Sequence, residues 1–205
     1  MDILIRANLL RPRTLLIHAV RLSEGAIPRI ASAGCGVAHC PASNAWFGHG
    51  VAPLTALTKA GVQVGLGSDS MASNNRMDLL EEARLAALAQ RAVTGRHDLV
   101  TPKQAFRLAT LGGAEALDLD EHVGSLEVGK QADLAVFAFA PQLGPVTDPY
   151  AALVFGPRPR TTRVLVAGVE LLRDGIVQGF DPAVAGRVQA TAERLQRWRR
   201  EQPSG

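Results

Sequence analysis

Cysteine, aromatic residues and long apolar runs are all scarce in this chain of 205 residues, and each shortage excludes something. Two cysteines, Cys35 and Cys40, are too few for a disulfide framework. Five positions apart on one predicted strand, they point to opposite faces, so no bridge between them is expected. The N-terminal "MDILIRANLLRPR" lacks the apolar core and small-residue cleavage site of a secretory leader. No apolar run reaches the ~18 residues of a membrane span. A cytoplasmic protein without a membrane partner is the expectation. Aromatics make up 4% of the chain, so Leu, Val and Ala must pack the core, and a hydrophobic content of 47% allows it. The net charge of +3 is small and scattered, so no nucleic-acid partner is expected. The densest basic stretch, "RLQRWRR" (194–200), reads as the solvated face of a helix.

What is present alternates. "RTLLIHAV" (13–20), "CGVAHC" (35–40) and "VQVGL" (62–66) are short runs, apolar on both faces. Each precedes a helical stretch. "LSEGAIPRIASAG" has Ser23 as an N-cap and is kept short by Pro28. "VAPLTALTKAG" closes at Gly61. "RMDLLEEARLAALAQRAV" has apolar residues at helical spacing. A further helix, "TPKQAFRLATLGG" (101–113), opens with Thr101 as N-cap and Pro102 behind it. Strands apolar on both faces and alternating with helices predict an α/β fold with a parallel sheet. The character changes near Asp118. "GSLEVGKQADLAVF" is a Gly-bounded turn and a β run, and "TTRVLVAGVELLRDGIV" is a hairpin with an Ala-Gly turn. The Pro-rich "APQLGPVTDPYAALVFGPRPR" between them reads as loop, and a helix over 182–201 finishes the chain. Two domains are expected, 1–118 and 119–205.

The three predicted parallel strands each end in a side chain with chemistry: His18, His39 and Asp69. In parallel α/β folds the chemistry sits at the carboxyl ends of strands. A structural histidine or a turn aspartate explains any one of them; three in succession point to a shared rim. A carboxylate with imidazoles suits a divalent metal and an activated water. Competing chemistries are weaker. There is no G-x-S-x-G elbow for a serine nucleophile. "GLGSDS" lacks the full phosphate-loop pattern. Cys40 has no H-x-E partner of the base-flipping zinc deaminases.

"LLIHAVRLSEGAI", "VAHCPASNAWFGHGVAPL", "AGVQVGLGSDSMASNNRMDLLEEARLAAL" and "GSLEVGKQADLAVF" follow one another in that order. Together they resemble the amidohydrolase superfamily, in the branch of cytosine, guanine and adenosine-derivative deaminases and chlorotriazine hydrolases. The resemblance implies a (β/α)8 barrel with a small β-sandwich attached. It implies a mononuclear Zn2+ or Fe2+, and a small heterocyclic substrate losing ammonia or chloride. By order and spacing, Asp69 resembles the eighth-strand aspartate that ligates the metal and takes a proton from its water. His18 resembles the sixth-strand histidine that contacts the substrate. His39 and Asn44 lie in the H-C-P-x-S-N segment, and Ser73 and Asn74 in the loop after the aspartate; these are the expected substrate-facing residues.

The departure from that pattern is large. The histidines are His18, His39, His49, His97 and His122, and no H-x-H or H-x-x-E occurs. Those motifs belong to strands one to five of the family's barrel. The expectation is therefore the C-terminal part of a longer enzyme: about strands six to eight, part of the sandwich and a final helix. Its metal site is expected to be incomplete. Such a chain associates with another copy, completes a barrel with a separate N-terminal half, or is an inactive remnant.

Overall fold

In the computed structural model, which describes residues 2–23, 25–140 and 146–202, the three apolar runs form a parallel sheet. Its strands are β1 (Leu15–Ile17), β2 (Gly36–His39) and β3 (Gln63–Leu66), in that order, with Leu16 opposite Val37 and Val37 opposite Val64. Side chains alternate across a strand, so Leu16, Val37, Val64 and Leu66 share one face. Three helices pack there: α2 (Ala26–Ser32) with Ile30, α4 (Leu54–Lys59) with Leu54 and Leu57, and α6 (Leu79–Thr94) with Ala83, Ala86 and Ala87. The core is aliphatic, as the shortage of aromatics requires. Two short helices, α3 (Pro41–Trp46) and α5 (Met71–Asn74), follow β2 and β3 directly. An N-terminal helix, α1 (Asp2–Arg6), had no counterpart in the sequence reading.

The opposite face of the sheet carries Gly36 and Gly65, and helix α8 (Leu111–Ala116) lies on it backbone to backbone. A Cβ at Gly36 would stand 2.2 Å from the Ala116 carbonyl oxygen, and one at Gly65 would stand 2.5 Å from Gly113 Cα. Only glycine permits that approach. The predicted single helix over 101–113 is thus two helices, α7 (Pro102–Leu108) and α8, with the break at Thr110. The break turns the two glycines of "LGG" onto the sheet. Thr101 does cap α7, in a reciprocal box with Gln104.

Two further corrections concern local signals. Ser23 is not the cap of α2; Gly25 is, in left-handed conformation. The Pro-rich connection holds a helix, α9 (Pro149–Phe155), capped by Asp148, which accepts from the Tyr150 and Ala151 amides. Pro149 at its first turn is a helix start rather than a loop signal. Val154 of α9 is buried in the same core as α6 and α7. Residues 141–145 of that connection lie outside the described residues.

The C-terminal part forms one antiparallel sheet, β4 (Leu134–Ala138), β5 (Arg160–Val166), β6 (Val169–Arg173) and β7 (Ile176–Val177), in chain order. Its hairpins turn at Ala167-Gly168 and Asp174-Gly175, both residues of each pair having positive φ, as two-residue hairpins demand. The last helix is α10 (Ala183–Glu201), which buries none of its residues. Both cysteines are free and buried. No described helix is long and apolar enough to cross a membrane.

Candidate carboxylate–histidine site

With α8 against the lower face of the sheet, the carboxyl ends of the strands stay open. The ladder runs one residue past each strand, with the His18 amide donating to the Ala38 carbonyl at 2.9 Å and the Gly67 amide donating to the His39 carbonyl at 2.9 Å. Then the chain turns sharply. His18, Ala19 and Asp69 all have left-handed backbones, with φ of 68°, 47° and 57°. For side-chain-bearing residues such conformations are held by their surroundings and gather at functional sites.

Those turns bring His18 Nε2 within 3.8 Å of Asp69 Oδ2. Both side chains are about one-third exposed, so they face a shared, open mouth. Each is oriented from behind by α3. The Ser43 hydroxyl donates to Asp69 Oδ2 at 2.7 Å, and the Ser70 amide donates to Asp69 Oδ1 at 2.8 Å. These hydrogen bonds, Ser43 first, hold the Asp69 carboxyl below its ordinary range, so it stands as an anion at the mouth. Asn44 Oδ1 sits 3.0 Å from His18 Nδ1. An amide oxygen only accepts, so this contact puts a proton on Nδ1 and fixes the ring's orientation.

The loop after Asp69 is pinned rather than loose. Asn74 is buried, donates to the Ser68 carbonyl and to Glu82, and accepts from the Arg76 amide. Ser73 and Ser70 share a hydroxyl contact of 3.0 Å. Ser73 therefore faces the mouth while Asn74 faces inward. His39 takes a different direction from the other predicted site residues. It lies on the helix side of β2, is 1% exposed, and is kept neutral, its pKa lowered to about 4 by burial and then by the charge of His18. His49, a loop residue by sequence, comes to the mouth: its ring stands 6.3 Å from that of His18 and stacks on Phe47 at 5.5 Å. Cys40 is no nucleophile, because burial pushes its thiol up to about 11, with Asp69 and Glu82 adding to the shift.

Sequence reasoning missed two residues here. Ser43 was passed over inside its own motif. Glu82 is 2% exposed, and its Oε2 accepts from the Ala42 amide while Oε1 accepts from Asn74. It joins the α3 loop to the Asp69 loop. The signal was available: Glu82, Ala86 and Gln90 fall at four-residue spacing on one buried stripe of α6.

A catalytic zinc needs three protein ligands. Among the described residues no group of three His, Cys, Asp or Glu stands close enough to hold a metal ion. Asp69 and His18 alone do not make such a site.

Residues 2–171 match the model of the amidohydrolase family. The chain belongs to that family. It is 43% identical over 185 residues to the 5-methylthioadenosine/S-adenosylhomocysteine deaminase of Halobacterium salinarum, a match covering 89% of this chain and 42% of the relative. Its fold superposes on an adenosine deaminase from Xanthomonas campestris, solved with bound zinc, with a TM-score of 0.89 and 33% identity, over 95% of this chain and 45% of that one. Atrazine chlorohydrolase from Arthrobacter aurescens, complexed with zinc, is similar at a TM-score of 0.80 and 32% identity, over 95% and 43% of the two chains. The chain thus spans less than half the length of the relatives it matches. The α/β fold with its parallel and antiparallel sheets is that of amidohydrolases.

Proposed function

We propose that this amidohydrolase chain supplies the carboxylate–histidine half of a hydrolase site that acts on an sp² ring carbon of a nitrogen heterocycle. The observation that carries it is the approach of His18 to Asp69, 3.8 Å apart past the carboxyl ends of β1 and β3, with Ser43 bound to the carboxylate. Water adds to the ring carbon and gives a proton to Asp69. In its protonated form, with Nδ1–H on Asn44 and Nε2–H toward the mouth, His18 donates a hydrogen bond to the developing charge. Asp69 passes that proton to the leaving amine, the C–N bond breaks and ammonia departs; from a chlorinated ring the C–Cl bond breaks and chloride leaves, with the proton released to water. Relatives named as purine-nucleoside deaminases favour ammonia and an aminopurine-like substrate. Ser73 borders the mouth, Asn44 orients His18 and Asn74 holds the loop from within, and Asp69 would contribute one ligand to the family's divalent metal.

The remaining ligands come from elsewhere, so the chain by itself turns over no substrate. The three strands are then about strands six to eight of a (β/α)8 barrel, in a domain over 1–118. A second domain over 119–205 carries the antiparallel sheet, and its helix α9 returns to pack against α6 and α7 of the first. The partner is a separate chain bearing the other strands, or a second copy. What favours an association is that β1 and β3 are edge strands and that Ile17 is 58% exposed.

The test is complementation. The chain is co-purified with the missing barrel strands taken from a deaminase relative, and ammonia release from 5-methylthioadenosine and adenosine is measured. Activity that Asp69→Asn abolishes is expected. Equal activity with Asp69→Asn would overturn the role given to this carboxylate, and a complex with no ammonia release would overturn the reading.

A further inference from the structure

The cap of α3 carries His49 to the mouth and holds it there. Gly48 is left-handed, with φ of 65°, and its amide donates to the Ala45 carbonyl at 3.2 Å; the His49 amide donates to the Asn44 carbonyl at 2.9 Å. That pair of bonds is a Schellman motif, whose last position commonly holds an apolar residue packed back on its helix. Here it holds an imidazole. The turn lies along the chain leaving β1, since a Cβ on Gly50 would stand 3.4 Å from Val20 Cγ1. Asn44 thus serves both histidines, its carbonyl fixing the backbone of His49 and its side chain orienting the His18 ring. We propose that His49 is a specificity-determining residue of the mouth, its ring edge donating a hydrogen bond to an acceptor nitrogen of the heterocycle that His18 and Asp69 receive. This role rests on the reading of that pair as the substrate mouth and adds a requirement on the substrate, an acceptor nitrogen in the plane of its ring.

His49 is exposed, and its ring lies on Phe47 with 20° between the planes, so one face of the imidazole is taken. To the His18 ring it is nearly perpendicular, at 85°, with the ring centres 6.3 Å apart. What His49 has left to offer a ligand at the mouth is its nitrogen edge. Among the described residues neither of its ring nitrogens has a hydrogen-bond partner. An imidazole keeps at least one N–H in either protonation state. A planar nitrogen heterocycle carries its acceptor lone pairs on the ring edge, where such a donor can meet them. A ring of the same shape without an acceptor leaves the N–H facing carbon. The exposed N–H exchanges water for the ligand, so the gain is modest, about fivefold in affinity.

Purine is the probe, and indole, of the same bicyclic shape with no acceptor nitrogen, is the control. Each is titrated into the full chain labelled with ¹⁵N-histidine. Purine at millimolar concentration should shift the ring nitrogens of His18 and His49 along one saturation curve, with indole about fivefold weaker. His49→Phe keeps a ring against Phe47 and removes the nitrogens. The cap uses only the backbone at this exposed position, so the fold is spared. Followed through His18, purine should fall to the level of indole in that variant. A shift of His18 alone would overturn the role given to His49 while leaving the mouth as a heterocycle site. A shift at neither histidine, or at His49 alone, would overturn it too, and the complementation assay judges Asp69 separately. Indole binding as tightly as purine, or purine affinity undiminished in His49→Phe, would likewise overturn the proposal.

Discussion

Replacing Glu82 with glutamine keeps the size of the side chain and removes one acceptor from a buried junction. Glu82 presents two carboxylate oxygens to two donors, the Ala42 amide at 3.0 Å and Asn74 Nδ2 at 3.1 Å. Glutamine has one oxygen and one NH2 group. Whichever way the amide turns, one buried donor faces another donor. A buried donor left without its acceptor costs about 1–3 kcal/mol. A neutral amide is cheaper to bury than a carboxylate, which places Glu82→Gln near the lower end, about 1–2 kcal/mol. Glu82→Ala orphans both donors and leaves a hole, for about 3–5 kcal/mol. Urea denaturation of the chain and both variants measures this. A Glu82→Gln variant within about 0.5 kcal/mol of wild type, the range of ordinary surface changes, would refute the reasoning, and so would equal losses in the two variants.

The same pair of proteins gives a pH test. Burial, the larger cause, raises the Glu82 carboxyl above its ordinary 4.5, against the lowering effect of the Ala42 hydrogen bond. For an acid whose folded pKa is raised, the stabilising contribution is full below the unfolded value and is lost as pH climbs through the folded value. Wild type should therefore lose stability relative to Glu82→Gln as pH rises from below 4.5 through the raised value. Asp69 runs the other way: its lowered carboxyl contributes stability above its unfolded value that is lost as pH falls. It is present in both proteins, so the difference curve reports Glu82 together with its coupling to Glu81 and Asp69. A flat or rising difference contradicts the burial argument.

Gly65→Ala drives a Cβ into the Gly113 backbone and should cost about 1–3 kcal/mol by overpacking, whereas Gly186→Ala on exposed α10, with nothing within 4 Å, should be neutral or stabilising in the same thermal melt. Ser43→Ala removes the foremost hydrogen bond on Asp69, so the carboxyl should titrate closer to its ordinary value in ¹³C NMR; an unchanged titration would refute the assignment. Purified chain dialysed against zinc-free buffer should retain far less than one equivalent, since two donors do not close a zinc site; stoichiometric zinc would show the site complete. Sedimentation should find association rather than a monomer, because β1 and β3 leave strand edges open.

How much of this was legible in the sequence depended on how local the cause was. The three parallel strands were legible because each is a short run apolar on both faces between helical stretches, which few other arrangements satisfy. The Thr101 cap and the Ala-Gly and Asp-Gly turns were legible because their signals lie within four residues. The split of the 101–113 helix was not, because its cause is a contact with β2 and β3: nothing in "LGG" announces that its glycines meet Gly65. The α9 helix hides in a stretch whose prolines read as loop, because Asp148 just ahead of Pro149 makes that proline a helix start. At the site, Asp69 and His18 stood out because strand ends place them. Ser43 and Glu82 did not, since their work is to hold other side chains, and a residue's partners appear only once the chain is folded. His39 marks the limit most sharply. Its position at a strand end was read correctly, but a pleated strand sends successive side chains to opposite faces. That parity sets His39 on the same face as Val37, on the helix side of the sheet, where it is buried away from the mouth.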